Sequence, residues 1–510
     1  MLAKVLSIQI NGLQAEIIEV EVDIAKGFHS FSIVGLPDKA VEEAKDRINS
    51  AIKNSGFEPP LRGGRKIVVS LAPANIKKEG SQIDLAIALG HLLANRNITF
   101  NPEGKIFAGE LGLNGKIRPI KGALLLAQTA KQVGLKEVYL PIDNVHEAAL
   151  ISGLKIFGCH NLKQLINHLT TSDQNGRIKP TPKTVITNQT AKIEIDFSDI
   201  RGQQQAKRAL EIAAGGGHNL AMSGPPGAGK TMLAKALLGI LPELNFEEVI
   251  ELTGIHSTAG TLETDFIAHR PFRTPHHTSS YAAMVGGGNY PRPGEITLAH
   301  RGVLFLDEFA EFEKRVIESL RQPLENGQIT IARSRGSLTF PAEFMLIAAM
   351  NPCPCGWLGD LRHDCVCSPG DIFRYRRKIS GPIVDRLDLW VPVPPVKIVE
   401  LSSIENSSET SATIRQRVTK ARQHQLKRFK KLPYLTNSQI KPKDLNHLIC
   451  LDLKAKKILD LTADRFGLSA RSYHRLIKTA RTIADLDDSE IVTEKHILEA
   501  VSYRPPKENL

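Results

Sequence analysis
The chain has 510 residues, 42% hydrophobic and 24% charged, with a formal net charge of +12 and a pI near 9.3. This composition excludes wholesale disorder and leaves room for about three domains. The basic surplus fits a polyanionic partner, most often nucleic acid, and equally a soluble protein that is simply basic.

No run approaches about 18 uninterrupted apolar residues, and no basic-then-apolar leader opens the chain, so neither a membrane span nor a secretory signal is expected. The six cysteines cluster rather than spread, which suits a reducing, cytoplasmic compartment. From the amino terminus, apolar residues alternate at Ile8 and Ile10, Ala15 and Ile17, and Val20 and Val22, the spacing of β-strands. Asp38 to Ile52 changes to helical spacing through Val41, Ala44, Ile48 and Ile52, with Asp38 as the N-cap after Pro37. A short apolar strand follows at Lys66 to Pro73, and DLAIALGHLLA from Asp84 reads as a buried helix. Residues 1–170 therefore form an α+β domain. The polar stretch from Thr170 to Thr190 has two prolines and no apolar periodicity, so residues 171–193 read as a linker.

Within residues 194–395 the strongest signal is Gly224-Pro225-Pro226-Gly227-Ala228-Gly229-Lys230-Thr231, a P-loop pattern. Glycines let backbone N–H groups converge on phosphate oxygens where side chains would collide. Lys230 at a helix start neutralises the phosphates of ATP, and Thr231 offers a hydroxyl to Mg²⁺. HNLAMSG before the loop is strand-like, and TMLAKALLGIL after it is helical. About 75 residues on, the apolar run Val303 to Leu306 ends in Asp307 and Glu308, a buried strand delivering two acids at its carboxyl end. Asp307 is placed to hold Mg²⁺ and Glu308 to act as general base. A third strand, EFMLIAAMN, ends in Asn351, positioned to orient the attacking water. Prolines in VPVPPVKIVE then close a strand-like segment. Beyond it the spacing is helical, through Ile414, Val418 and Ala421, then Leu451, Ala455, Ile458 and Leu459, then Leu476, Ile477 and Ala480. Residues 396–510 thus read as a helical domain.

The order P-loop, GVLFLDE, AAMNPCPCG, SGPIVDRLDL, GLSARSYHRLIKTARTIADL closely resembles the magnesium chelatase-like AAA+ family. HRPFRTPHHTSS and GGGNYPRPGEITLAHRGVLFLDE match its YifB/ComM branch, and the likeness covers essentially the whole chain. The resemblance implies an α/β chain: an AAA+ core with a parallel sheet, a helical lid, and rings, usually hexamers, with ATP between subunits. It implies that Arg386 is an arginine finger acting in trans and Arg471 a sensor arginine reaching the γ-phosphate in cis. Ile200 and Gly202 would line the adenine pocket. The first domain resembles the proteolytic domain of Lon, but Gln82 stands where Lon has its serine and Leu124 where it has its lysine, with Ser81 one position off. A carboxamide cannot attack a peptide bond and leucine cannot accept a proton, so no peptidase activity is expected.

Two insertions remain. One holds RPFRTPHHTSS; the other, ITIARSRGSLTF, reads as a β-hairpin tipped by Arg333 to Gly336. Arg270, Arg273, Arg333 and Arg335 suit DNA phosphate contacts, or else pair with local carboxylates. His276 and His277 are read either as metal ligands or as loop structure and DNA contacts. The basic run Arg422 to Lys431 reads as a solvated helix face. Cys353, Cys355, Cys365 and Cys367 fit a structural zinc site, with His363 as a spare ligand, or else are free thiols. The resemblance implies a DNA motor, a helicase for branch migration in transformation and recombination. The alternative is a chelatase-like ATPase that remodels a protein partner.

Overall fold
The computed structural model describes residues 2–62, 64–171, 173, 176–186, 194–288, 292–333, 336–360, 362–396 and 409–505. They build two compact units, Met1–Thr187 with Phe246–Ala268, and Asn188–Asn245 with His269–Leu510.

In the first unit, strands β1 (Leu2–Asn11), β2 (Gln14–Lys26), β3 (Ser30–Val34) and β4 (Arg65–Ala72) make a mixed sheet in the order β1-β2-β4-β3. β1 and β2 are a hairpin whose register runs from Leu2 opposite Asp23 to Asn11 opposite Gln14. One face is apolar, with Val5, Ile18, Val20 and Val22 buried, and the helix Asp84–Ala94 is buried along nearly its whole length. The expected helix from Asp38 is two pieces, Lys39–Glu42 and Ala44–Asn54. Asp38 does cap the first, its carboxylate accepting from Val41 N at 2.9 Å. Short strands β5 (Lys105–Phe107), β6 (Glu110–Leu111), β7 (Ile117–Arg118), β8 (Glu137–Pro141) and β9 (Lys155–Cys159) follow. β5, β8 and β9 are parallel neighbours, cross-linked by a stack of Phe107, Tyr139 and Phe157 with centroids 4.7 and 4.8 Å apart.

The helix Phe246–Ala259 belongs to this unit although it lies between the phosphate loop and Asp307 in sequence. Its buried face carries Val249, Leu252 and Ile255. Gly254 lies against Leu125 and Leu124, and Ser257 Oγ accepts from Gly122 N at 2.8 Å. Sequence spacing shows that such a helix has an apolar face but not which sheet receives it.

The second unit contains β10 (Leu220–Ser223), β11 (Phe272–Arg273), β12 (Gly286–Gly287), β13 (Arg292–Pro293), β14 (Val303–Leu306), β15 (Gln328–Arg333), β16 (Gly336–Pro341), β17 (Met345–Met350) and β18 (Leu389–Pro392). Five of these form an all-parallel sheet, β11-β14-β17-β10-β18. β14 and β17 are buried at every position, as strands covered on both faces must be. β15 and β16 form the expected hairpin, from Gln328 opposite Pro341 to Arg333 opposite Gly336. The helices Ser411–Phe429, Leu453–Phe466, Ala470–Leu486 and Glu494–Ser502 close the chain. Their apolar residues Ile414, Val418, Ile483 and Ala484 share one core with Ala213, Leu220 and Leu233.

Polar contacts fix the helical part to the sheet part. Arg422 donates to Ala214 O at 2.8 Å and Gln425 to Gly215 O at 2.9 Å. Buried Asp485 takes Arg428, Arg481 and Asn437 together. The basic run from Arg422 is therefore not a purely solvated face, because Arg422 is spent on this joint and Arg428 on a buried carboxylate within the helical part. Arg481 is 1% exposed, and a buried cation stripped of its partner costs about 3–5 kcal/mol. Asp485→Ala should lower stability by that order in chemical denaturation, whereas Lys431→Ala on the exposed end should change it by less than about 0.5 kcal/mol.

Candidate active site
The phosphate loop leaves β10 at Ser223 and is tied down at once, with Gly224 N donating to Met350 O at 3.2 Å. A side chain at Gly224 would put its Cβ 2.1 Å from Val393 O, so this position must be glycine for close backbone approach. Gly227 and Gly229 take positive φ of 75° and 90°, and among the described residues, chain neighbours aside, nothing lies within 4 Å of a Cβ built on either. The loop is thus open in front. Gly229 also starts the helix Lys230–Ile240, whose first N–H groups have no partner within the helix and face an incoming anion.

Lys230 is 8% exposed. Its ammonium donates to Gly224 O at 2.6 Å, Pro225 O at 3.0 Å and Asn351 Oδ1 at 3.2 Å. Burial pulls its pKa below that of an ordinary lysine, while the charges of Asp307 and Glu308 oppose that shift. Thr231 Oγ1 donates to Asp307 Oδ2 at 2.9 Å. The pair expected to hold Mg²⁺ is therefore assembled, and the open glycine loop, buried cation and hydroxyl–carboxylate pair fit a magnesium–triphosphate group. Glu308 follows with φ +50°, unusual for a residue with a side chain. Its carboxylate meets His277 Nδ1 at 2.8 Å. His277 is thus a partner of the acid; only its place in the inserted loop hinted at this. His276 bonds Thr278 Oγ1 at 2.9 Å.

Ile200 is buried and Gly202 has φ +60°. Beside them Gln203 Nε2 donates to Ala228 O at 3.4 Å and Pro394 O at 2.5 Å, linking this segment to the phosphate loop and the end of β18. Arg386 and Arg471 come together on a residue not singled out in the sequence. Arg386 Nη2 donates to Glu325 Oε2 at 2.5 Å, and Arg471 Nη1 lies 3.5 Å from Glu325 Oε1. The hydrogen bond from Arg386, and the charges of both arginines, hold the Glu325 carboxyl below its usual pKa.

Arg270 and Arg273 of the first insertion are engaged within the chain. Arg273 forks onto Glu295 at 2.6 and 2.7 Å. Arg270 donates to Pro242 O and Arg301 O, each at 2.7 Å. Arg335 lies outside the described residues, and Arg333 is described only as the last residue of β15. The sulfurs of Cys353, Cys355, Cys365 and Cys367 all lie within 4.8 Å of one another. His363 instead stacks on Trp357 at 4.2 Å.

The family model described as magnesium chelatase, subunit ChlI, matches residues 196–401. Its companions, subunit ChlI of Mg-chelatase and the ChlI C-terminal part, match residues 20–144 and 408–504. The chain belongs to the magnesium chelatase ChlI family. Uncharacterized protein YifB of Escherichia coli is 44% identical over 97% of this chain and 95% of its own length. Competence protein ComM of Haemophilus influenzae is 41% identical over the same shares. The Magnesium-chelatase 67 kDa subunit of Chlorobaculum parvum is 23% identical over 62% of this chain and 45% of its own. The chain thus falls in the YifB/ComM branch of these AAA+ proteins. Among the described residues no helix is long and apolar enough to cross a membrane.

Two substitutions probe the site as built. Lys230→Ala should weaken binding of a fluorescent ATP analogue by on the order of tenfold or more, equivalent to about 1.4 kcal/mol per decade, with the circular dichroism spectrum unchanged. His277→Ala should alter kcat for ATP with KM little changed, because the pair it breaks is to Glu308 rather than to the phosphate loop.

Proposed function
We propose that this chain is one subunit of a ring-forming, ATP-driven motor that works in the cytoplasm on single-stranded or branched DNA. In this reading Lys230 neutralises the β- and γ-phosphates, and Thr231 with Asp307 holds Mg²⁺. Bound there, the ion would supply charge neutralisation at the phosphoryl oxygens. Glu308 accepts the proton of the attacking water and Asn351 orients that water. Ile200 and Gly202 flank the base. Zinc at the four cysteines completes the set of ions.

The observation that carries the ring is the shared carboxylate of Arg386 and Arg471. Two arginines 2.5 and 3.5 Å from one glutamate present a single cationic face; in this reading Arg386 reaches the γ-phosphate held by the neighbouring subunit and Arg471 the γ-phosphate in its own subunit. Glu325 keeps them in place until nucleotide replaces it. Support for DNA comes from the net charge of +12 and from Arg333 and Arg335 in the sequence ITIARSRGSLTF, and from kinship with a competence protein. Branch migration during transformation and recombination is the work that reading assigns. The first unit is taken as a degenerate relative of the Lon proteolytic domain. Support comes from the placement of Gln82, whose Nε2 contacts Gln9 Oε1 at 3.5 Å, and of fully buried Leu124.

Mixing experiments test the shared site. Arg386→Ala and Glu308→Gln subunits should each be inactive alone, and mixing them should restore part of the ATPase. Absence of recovery would count against a catalytic arginine in trans. A synthetic three-strand joint should both stimulate turnover and be resolved with ATP. If DNA leaves turnover unchanged while a protein partner raises it, the remodelling alternative replaces this reading; casein degradation would revive a peptidase.

A further inference from the structure
Asn351 is followed, after Pro352, by a segment of unusual make-up. Among its described residues, 352–367 form no helix or strand. Val366 is 85% exposed, so apolar burial does little to order it. Ordering such a stretch costs roughly 1–2 kcal/mol per residue of backbone entropy, and something other than a core must offset that. The four thiols are the evident means. Cys353 Sγ lies 3.4 Å from Cys355 Sγ and 3.7 Å from Cys365 Sγ, and Cys355 Sγ lies 3.6 Å from Cys365 Sγ. Cys355 N donates to Cys367 Sγ at 3.4 Å. None of the four is in a disulfide. Four thiolates at about 2.3 Å from a tetrahedral zinc stand about 3.8 Å apart. The observed spacings approach that value, and backbone N–H groups aimed at the sulfurs are the partners a bound thiolate takes.

The position of this cluster gives it a second role. Gly356 N closes the ligand-bearing turn onto Cys353 O at 3.0 Å. A Cβ at Gly356 would fall 2.7 Å from Pro226 Cδ and 3.8 Å from Asn351 Cγ, so the turn lies directly on the phosphate loop. Asn351, two residues before the first thiol, accepts from Lys230. We propose that Cys353, Cys355, Cys365 and Cys367 bind one zinc ion, and that this ion positions Asn351 and the Pro226 side of the phosphate loop for nucleotide. The second half of the statement rests on the nucleotide reading above; the first half does not.

The test begins with the full chain purified without chelator. Zinc measured by plasma mass spectrometry should come to one ion per chain, and zinc at background overturns the proposal. Stripping the ion with a mercurial and a chelator should weaken binding of a fluorescent ATP analogue about tenfold, and zinc added back should restore it. Unchanged affinity after stripping overturns the positioning role. Cys365→Ser with Cys367→Ser should lose the metal. Because loss of metal in that variant can also follow from misfolding, cobalt replacement in the unaltered chain supplies an independent readout. Its thiolate and d–d absorption bands should shift when nucleotide is added, and bands indifferent to nucleotide overturn the coupling. Lys230→Ala separates the two readings: it should keep its zinc while losing nucleotide. If it binds nucleotide normally, the phosphate-loop assignment fails while the zinc measurement stands.

Discussion
A lysine ammonium cannot be buried without partners, because its desolvation penalty far exceeds any packing gain. Around Lys230 that constraint organises the second unit. Two carbonyls come from the loop itself, and the third acceptor is Asn351 at the end of the neighbouring strand β17. Bringing that acceptor into reach requires β10 and β17 to be parallel and in register, Ser223 beside Met350. The same sheet places β14 on the other side of β17, so Asp307 arrives opposite Thr231. One buried cation and the strand order that satisfies it thus fix the relative positions of four side chains of the candidate site.

Much of this was legible in the sequence because it is local. A strand, a glycine loop and a helix that follow one another within about twenty residues leave periodicity and turn chemistry on the page. Fully buried strands such as β14 and β17 announce themselves as unbroken apolar runs, and the hairpin β15–β16 as two alternating segments around Arg-Gly. What was not legible depends on contacts between distant segments. Glu325 carries no motif, yet it gathers Arg386 and Arg471. His277 sits in a loop whose destination no spacing reveals. The in-chain partners of Arg270 and Arg273, backbone carbonyls and Glu295, lie 22 to 31 residues away in sequence and leave no local signal.

The helical part was legible in kind but not in use. Its basic run suggests a solvated face, as such runs usually are. In the folded chain the guanidinium of Arg422 forks onto the Ala214 carbonyl near the end of the helix Gln204–Gly216, and that of Arg428 joins a buried carboxylate. The polar side chains of Arg422 and Gln425 therefore help to set the angle between lid and sheet. An angle held by directional bonds is well defined in each state and can be reset when those bonds exchange partners.

The helix Phe246–Ala259 has a consequence for how this polypeptide can be divided. The main chain passes from the first unit to the second, returns for residues 246–268, and departs again, so no single cut yields two intact halves. A fragment beginning after the linker would carry Val249, Leu252 and Ile255 with nothing to cover them, a sticky stripe prone to self-association. The complementary amino-terminal fragment would lack the segment that shields Leu124 and Leu125 and bonds Gly122. Inheritance of the two units as one inseparable gene product, rather than as exchangeable modules, follows from that threading.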